Sequence, residues 1–126
     1  MDEIEKIKVY IKYFWPNKFN FKREVPLKIL FPEPKNKGLR HIWKYGHADL
    51  LVFKREKLIT IFEPGGGQHL KDKKQIKNDR RKFMLCSKNK IFCCQILNNS
   101  LENLSKRKQR NLLGKVLWTK EENDKK

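Results

Sequence analysis

The stretch that decides the fold is HADLLVFKREKLITIFE, residues 47–63. It contains two short runs rich in aliphatic and aromatic residues, Ala48 to Phe53 and Lys57 to Phe62. The charged residues 54–56 separate them, and apolar runs of this length with a polar turn between them are typical of a β-hairpin. The sequence therefore predicts two strands joined by a tight turn.

The residues before the hairpin predict one helix and one further strand. Apolar residues recur at helical spacing over residues 1–16, and Pro16 marks the end of the helix. Residues 19–31 alternate well enough for an extended strand, and Pro26 confines that strand to a sheet edge or a bulge. Residues 32–38, PEPKNKG, are predicted to form a loop.

The residues after the hairpin predict a helix, a strand and a last helix. No proline or glycine interrupts residues 71–88, where we expect the second helix. Residues 90–97, KIFCCQIL, are almost continuously apolar, as in a strand buried on both sides. Asn99 and Glu102 resemble a capping box that opens the third helix.

These elements together predict an α/β protein. Their order is α-β-β-β-α-β-α, which we expect to form a small sandwich with a mixed central sheet. Residues 1–118 are predicted to be a single domain, because the length suits one core and no internal linker is visible. The polar residues 119–126 are predicted to be a disordered tail.

The charge of the chain indicates an anionic partner. Lys and Arg number 31 against 14 Asp and Glu, so the formal net charge is +17. Such an excess favours binding to DNA, although a lysine-rich coding bias could produce it without any ligand. The residues that we expect to contact nucleic acid are Gln68, Lys71, Lys74, Arg107, Lys108 and Arg110.

The cysteines and the hydropathy favour a cytoplasmic protein with no membrane partner. Cys86, Cys93 and Cys94 lie in or beside apolar runs, and no spacing of Cys and His is typical of a zinc site. Buried free thiols are typical of a reducing compartment. No apolar run approaches the roughly 20 residues of a membrane span, and the first residues lack the apolar segment of a signal peptide.

Two acids lie at neighbouring ends of the predicted hairpin. Asp49 begins the first strand and Glu63 follows the second. Two carboxylates placed in this way can converge on one divalent cation, for which Mg²⁺ or Mn²⁺ is the expected cofactor. The alternative is that both acids mark strand ends in solvent.

The glycines after Glu63 are followed by a histidine that could take part in catalysis. Residues 65–67 are glycines, which let the backbone turn sharply and let a phosphodiester strand approach closely. A tight loop of no further function would also use them. His69, at the mouth of the next helix, could act as a general acid or base, or serve only a structural role.

The second predicted helix carries an acid on its apolar face. Asp79 lies three residues after Ile76 and four before Phe83, so helical geometry places it on their stripe. His69 is one candidate partner, since a carboxylate bonded to one ring nitrogen would fix the tautomer of the other. The alternative is that Asp79 pairs with the arginines that follow it.

The run ADLLVF…ITIFEPGGGQH…NDRRKF…IFCCQI resembles the core of the PD-(D/E)XK nuclease superfamily, most of all its very-short-patch-repair branch with the related EDxHD homing endonucleases. The likeness covers about residues 48–97. It implies a restriction-endonuclease-like core and metal-dependent hydrolysis of DNA phosphodiester bonds. By position, the active-site residues of that branch are Asp49, His69 and Asp79, and Glu63 falls where the wider superfamily keeps its metal-binding acid.

The resemblance also implies that the first helix supplies an acid, and the sequence departs from the motif of the superfamily at one position. Glu3 or Glu5 could supply the acid, and Glu3 is favoured because it lies nearer the apolar face. The lysine of the (D/E)XK motif is absent, since Glu63 is followed by Pro64 and Gly65. A catalytically silent DNA-binding module therefore stays an alternative to a nuclease. A further alternative is a subunit of a larger nuclease or transposition complex, and the protein could also form a homodimer.

Overall fold

The computed structural model describes residues 2–65, 73–97 and 101–125. The strands form one mixed sheet in the order β1-β2-β3-β4, in which β3 and β4 are parallel and the other neighbours antiparallel. The predicted α/β class is confirmed. The elements are α1 (Glu3–Phe14), β1 (Asn20–Pro26), α2 (Leu27–Leu30), α3 (Lys37–Tyr45), β2 (His47–Lys54), β3 (Lys57–Gly65), α4 (Lys73–Lys88), β4 (Phe92–Leu97) and α5 (Lys106–Lys125).

The first helix forms where its periodicity predicts it. The Asp2 side chain accepts a hydrogen bond of 2.8 Å from the Glu5 amide and caps the helix start. The helix ends at Phe14, two residues before Pro16. Its buried residues are Ile4, Ile7 and Ile11.

The predicted hairpin is confirmed. Leu50 pairs with Phe62 and Lys54 with Lys57, which leaves Arg55 and Glu56 as the two turn residues. Their φ angles are 52° and 66°, as in the type I′ turns that match the twist of the strands. Both strands are slightly longer than predicted.

The region between β1 and β2 differs from the prediction. The strand predicted over residues 19–31 ends at Pro26, where the helix α2 begins, although its edge position is as expected. The predicted loop over residues 32–38 leads into the helix α3, which the sequence analysis missed. Asn36 caps α3 by accepting a hydrogen bond of 2.8 Å from the Gly38 amide, and the helix buries Leu39 and Ile42.

The apolar sequence of the last strand predicted burial on both sides, and this prediction is wrong. It forms an edge of the sheet, and Phe92 is 49% exposed. The end of α4 connects to it closely, because the Ile91 amide donates a hydrogen bond of 2.9 Å to the Cys86 carbonyl. An apolar run alone therefore did not distinguish an edge strand from a central one.

The predicted capping box does not open the last helix. Asn99 lies outside the described residues, and Glu102 precedes the start of α5 at Lys106. Ser105 caps α5 instead, since its hydroxyl accepts a hydrogen bond of 3.3 Å from the Lys108 amide. The backbone of α5 continues to Lys125 and so covers most of the residues predicted as a disordered tail.

The sheet separates two apolar clusters, and this division decides where the candidate site lies. On one face Leu50 and Phe62 pack with residues of α1 and α5. On the other face Leu51 and Ile61 pack with residues of α2, α3 and α4. Among the described residues, none of the helices has the length and apolarity to cross a membrane.

Candidate active site

The structure brings Asp49 and Glu63 together on the sheet face that α4 covers. They occupy the positions just beyond the Leu50 and Phe62 pair in the β2–β3 register, and they lie close enough for Asp49 to raise the pKa of the Glu63 carboxyl. Because side chains alternate along a strand, both acids share a face with Leu51. The predicted convergence of the two acids therefore follows from the hairpin register.

Glu63 lies in a strongly desolvated position. It is 6% exposed. Burial raises the pKa of its carboxyl to about 9, the hydrogen bond and the charge of Asp49 add to the rise, and the charge of Lys82 opposes it. Its Oε1 forms an ion pair with Lys82 of α4. Glu63 is therefore a buried acid with a cation beside it.

Lys82 of α4 lies beside Glu63, and the sequence analysis did not identify it. We call Asp49, Glu63 and Lys82 the cluster. Its Nζ lies 3.1 Å from Glu63 Oε1, and its side chain is 14% exposed. Burial alone would lower the pKa of Lys82, but the charge and hydrogen bond of Glu63 outweigh that effect and raise it. The sequence contained a signal for the burial of Lys82, because Lys82 shares a helical stripe with the buried residues Leu85 and Cys86.

The charges of the cluster depend on one another. The raised pKa of Lys82 requires a charged carboxylate nearby, whereas burial favours the neutral form of Glu63. The contact between Lys82 and Glu63 therefore balances two opposing effects, the cost of burying Glu63 as an ion and the attraction between the two charges.

Of the two remaining catalytic candidates, Asp79 lies within the described residues and His69 does not. Asp79 is half-buried and lies one turn before Lys82 on α4, so helical geometry places it on the flank of the cluster. Its predicted partner His69 lies outside the described residues, as do Gln68 and Lys71. Lys74 lies in the first turn of α4.

The acids of the first helix are not brought to the cluster. Glu3 lines a small cavity with Ile7 and Ile96, on the face of the sheet opposite Asp49. Among the described residues, no hydrogen bond or ion pair joins Glu3 to Glu63. Glu5 instead binds Arg23, whose Nη1 lies 2.9 Å from Glu5 Oε1.

The predicted nucleic-acid contacts of the last helix also lie on that opposite face. Arg107, Lys108 and Arg110 are exposed in the first turns of α5. The guanidinium of Arg110 lies 5.8 Å from the centre of the Trp15 ring. These cations are therefore separated from the carboxylates by the sheet.

The described residues offer a pair of carboxylates but no larger metal-binding group. Within them, no three His, Cys, Asp or Glu side chains are placed to hold one ion, and the three cysteines are free thiols. No protein-family model matches the chain, and no curated protein or solved structure is significantly similar to it.

Proposed function

We propose that this protein is a metal-dependent DNA endonuclease, as the resemblance to the PD-(D/E)XK superfamily implies. The observation that carries the proposal is the meeting of Asp49, Glu63 and Lys82 on one face of the sheet. Two acids on neighbouring strands can hold a divalent ion for phosphodiester hydrolysis, and an amine beside them can stabilise charge on the phosphate. The strands β1, β2 and β3 followed by α4 and β4, with α2 and α3 inserted between β1 and β2, and the mixed sheet support a restriction-endonuclease-like core.

Asp49 and Glu63 are suited to hold Mg²⁺ or Mn²⁺. Glu63 is buried beside Asp49, and a cation between them would replace the proton that burial favours on Glu63. Hard divalent ions prefer carboxylate oxygens, and water completes their coordination. When bound, such an ion would neutralise charge on the phosphate and make a bound water more acidic.

Lys82 supplies an amine that the sequence motif lacks. The position after Glu63-Pro64 is a glycine, so β3 cannot provide the lysine. The helix α4 provides one from across the sheet face, with its Nζ 3.1 Å from Glu63. An ammonium at this place would stabilise negative charge that develops on the phosphate during hydrolysis.

His69 and Asp79 keep their predicted roles within the proposal. In the sequence, His69 falls between β3, which ends at Gly65, and α4, which carries Lys82 and Asp79. A histidine at this point of the chain could transfer a proton to the leaving oxygen or from the attacking water. Asp79 would orient its imidazole.

Plasmid cleavage tests the proposal. We expect the purified protein to nick or cut supercoiled DNA with Mg²⁺ or Mn²⁺ and to lose that activity in EDTA. Asp49→Asn should lower the rate by at least about 10²-fold, because it removes one of the two acids that would hold the ion. Glu56→Gln, an exposed acid at the hairpin tip, is the matched control and should retain full activity.

Two outcomes would contradict the proposal. Cleavage that persists in EDTA or in Asp49→Asn would exclude this site as its source. Tight, salt-sensitive DNA binding without cleavage under any metal would leave the catalytically silent DNA-binding module as the function.

A further inference from the structure

Cations of α1 and α5 are held over aromatic rings at one part of the surface. Lys106 Nζ donates a hydrogen bond of 3.1 Å to the Tyr13 hydroxyl and lies 4.8 Å from the centre of its ring. Arg110, one helical turn further, lies over Trp15. Lys12, next to Tyr13, lies 5.9 Å from the Phe21 ring. We call Lys12, Tyr13, Lys106 and Arg110 the α1–α5 surface.

The cations of this surface have no carboxylate partner among the described residues. Other cations of the structure are paired with acids, as in Lys6 with Glu102 and Arg23 with Glu5. Within the described part of the chain, the interactions of Lys12, Lys106 and Arg110 are with rings and a hydroxyl. Their charge is therefore available to an anionic ligand, and the rings limit the side-chain entropy lost on binding.

An exposed aromatic ring accompanies these charges. Tyr13 is 61% exposed although it contacts Phe14 and Lys106. A cationic groove with exposed rings is how proteins bind single-stranded nucleic acid, because phosphates bind the cations and unpaired bases stack on the rings. In duplex DNA the faces of the bases are already stacked on each other.

The position of the surface also favours a single strand. The α1–α5 surface lies on one face of the sheet, whereas Asp49, Glu63 and Lys82 lie on the other. Duplex DNA has a persistence length of about 150 base pairs and bends little over so small a domain. A flexible strand could contact both faces by passing around the sheet.

We propose that the α1–α5 surface binds a single-stranded segment of nucleic acid, with Tyr13 stacking on an unpaired base. The binding itself does not depend on the proposed nuclease function. Only the statement that the bound segment is part of the substrate rests on that function. The endonuclease would then act on DNA that contains unpaired nucleotides beside the bond it cleaves.

Binding in EDTA tests this inference without requiring cleavage. Fluorescence anisotropy would compare a labelled oligothymidylate of about 20 nucleotides with a duplex and with an abasic strand of equal length. We expect the oligothymidylate to bind tightest. Tyr13→Ala should weaken its binding about tenfold and leave the abasic strand unaffected. Lys106→Glu combined with Arg110→Glu should weaken both strands and reduce the salt dependence.

The helix α3 provides matched controls. Tyr45 is also 61% exposed, and Lys44 lies 5.4 Å from its ring, but both belong to the other side of the sheet. Tyr45→Ala and Lys44→Glu should change the affinity less than twofold. Equal losses in the α3 and α1–α5 variants, or equal binding of abasic and normal strands, would overturn the inference. Tight strand binding with no cleavage under any metal would overturn only the nuclease proposal.

Discussion

The buried carboxyl of Glu63 should make the stability of the protein depend on pH in a way that Glu63→Gln removes. Its pKa is raised from 4.5 to about 9 by burial and by Asp49. A carboxyl with a raised folded-state pKa contributes stability that is fully present below the unfolded pKa. That stability is lost as the pH rises through the folded pKa. The free energy of unfolding should therefore fall between about pH 5 and pH 9.

The magnitude follows from one proton. A folded state that holds one proton more than the unfolded state loses roughly 1 kcal/mol of unfolding free energy per pH unit. The pKa of about 9 already includes the opposing charge of Lys82. Between pH 6 and pH 8 we therefore expect the natural protein to lose roughly 2–3 kcal/mol of unfolding free energy relative to Glu63→Gln.

Urea unfolding followed by tryptophan fluorescence at pH 6, 7 and 8 measures this difference. Glu102→Gln is the control, because Glu102 is a half-exposed acid paired with Lys6 on the other face, and its pH slope should equal that of the natural protein. Mg²⁺ should stabilise the natural protein most at high pH, where it competes with fewer protons, and should not stabilise Glu63→Gln to the same extent. Parallel pH slopes for the natural protein and Glu63→Gln would refute the raised pKa of Glu63.

The other predictions concern the remaining site residues and the hairpin turn. Lys82→Met should lower metal-dependent DNA cleavage by at least about 10²-fold while DNA binding stays within a few-fold, and full activity would exclude the amine from the chemistry. His69→Ala should cost about 10²–10⁴-fold in rate. Asp79→Asn should cost less, and the double variant should resemble His69→Ala alone, whereas multiplied losses would show that Asp79 acts independently. Replacing Arg55 and Glu56 by Asn and Gly should raise the free energy of unfolding by about 1 kcal/mol, because both residues have positive φ. An unchanged thermal midpoint would contradict that reasoning.

Local signals in the sequence were sufficient for the elements that neighbouring residues specify. The spacing of Ile4, Ile7 and Ile11 predicted α1, because a helix needs one apolar face to pack. The polar turn between two apolar runs predicted the hairpin. The Asp49 and Glu63 pair followed from the same stretch, since a tight turn fixes the register of both strands and so the neighbours at their far ends.

Elements that depend on distant residues could not be predicted in this way. The apolar sequence of β4 resembles a central strand, but the strand order places it at an edge. The start of α5 depends on Ser105 and on Gln109, whose amide donates to the Leu101 and Leu104 carbonyls. Competing caps in one segment have similar propensities, and packing against α1 and the sheet decides between them.

The sequence by itself determined the carboxylate pair, and only the tertiary structure decided what surrounds it. Lys82 is one of many lysines in the chain, and it became part of the site because α4 packs over the sheet face that carries Glu63. The same packing order placed Glu3 and the cations of α5 on the opposite face. Helical periodicity shows which residues share a face of one helix, but the face of the sheet that a helix covers is decided by the connections and by burial of the whole core.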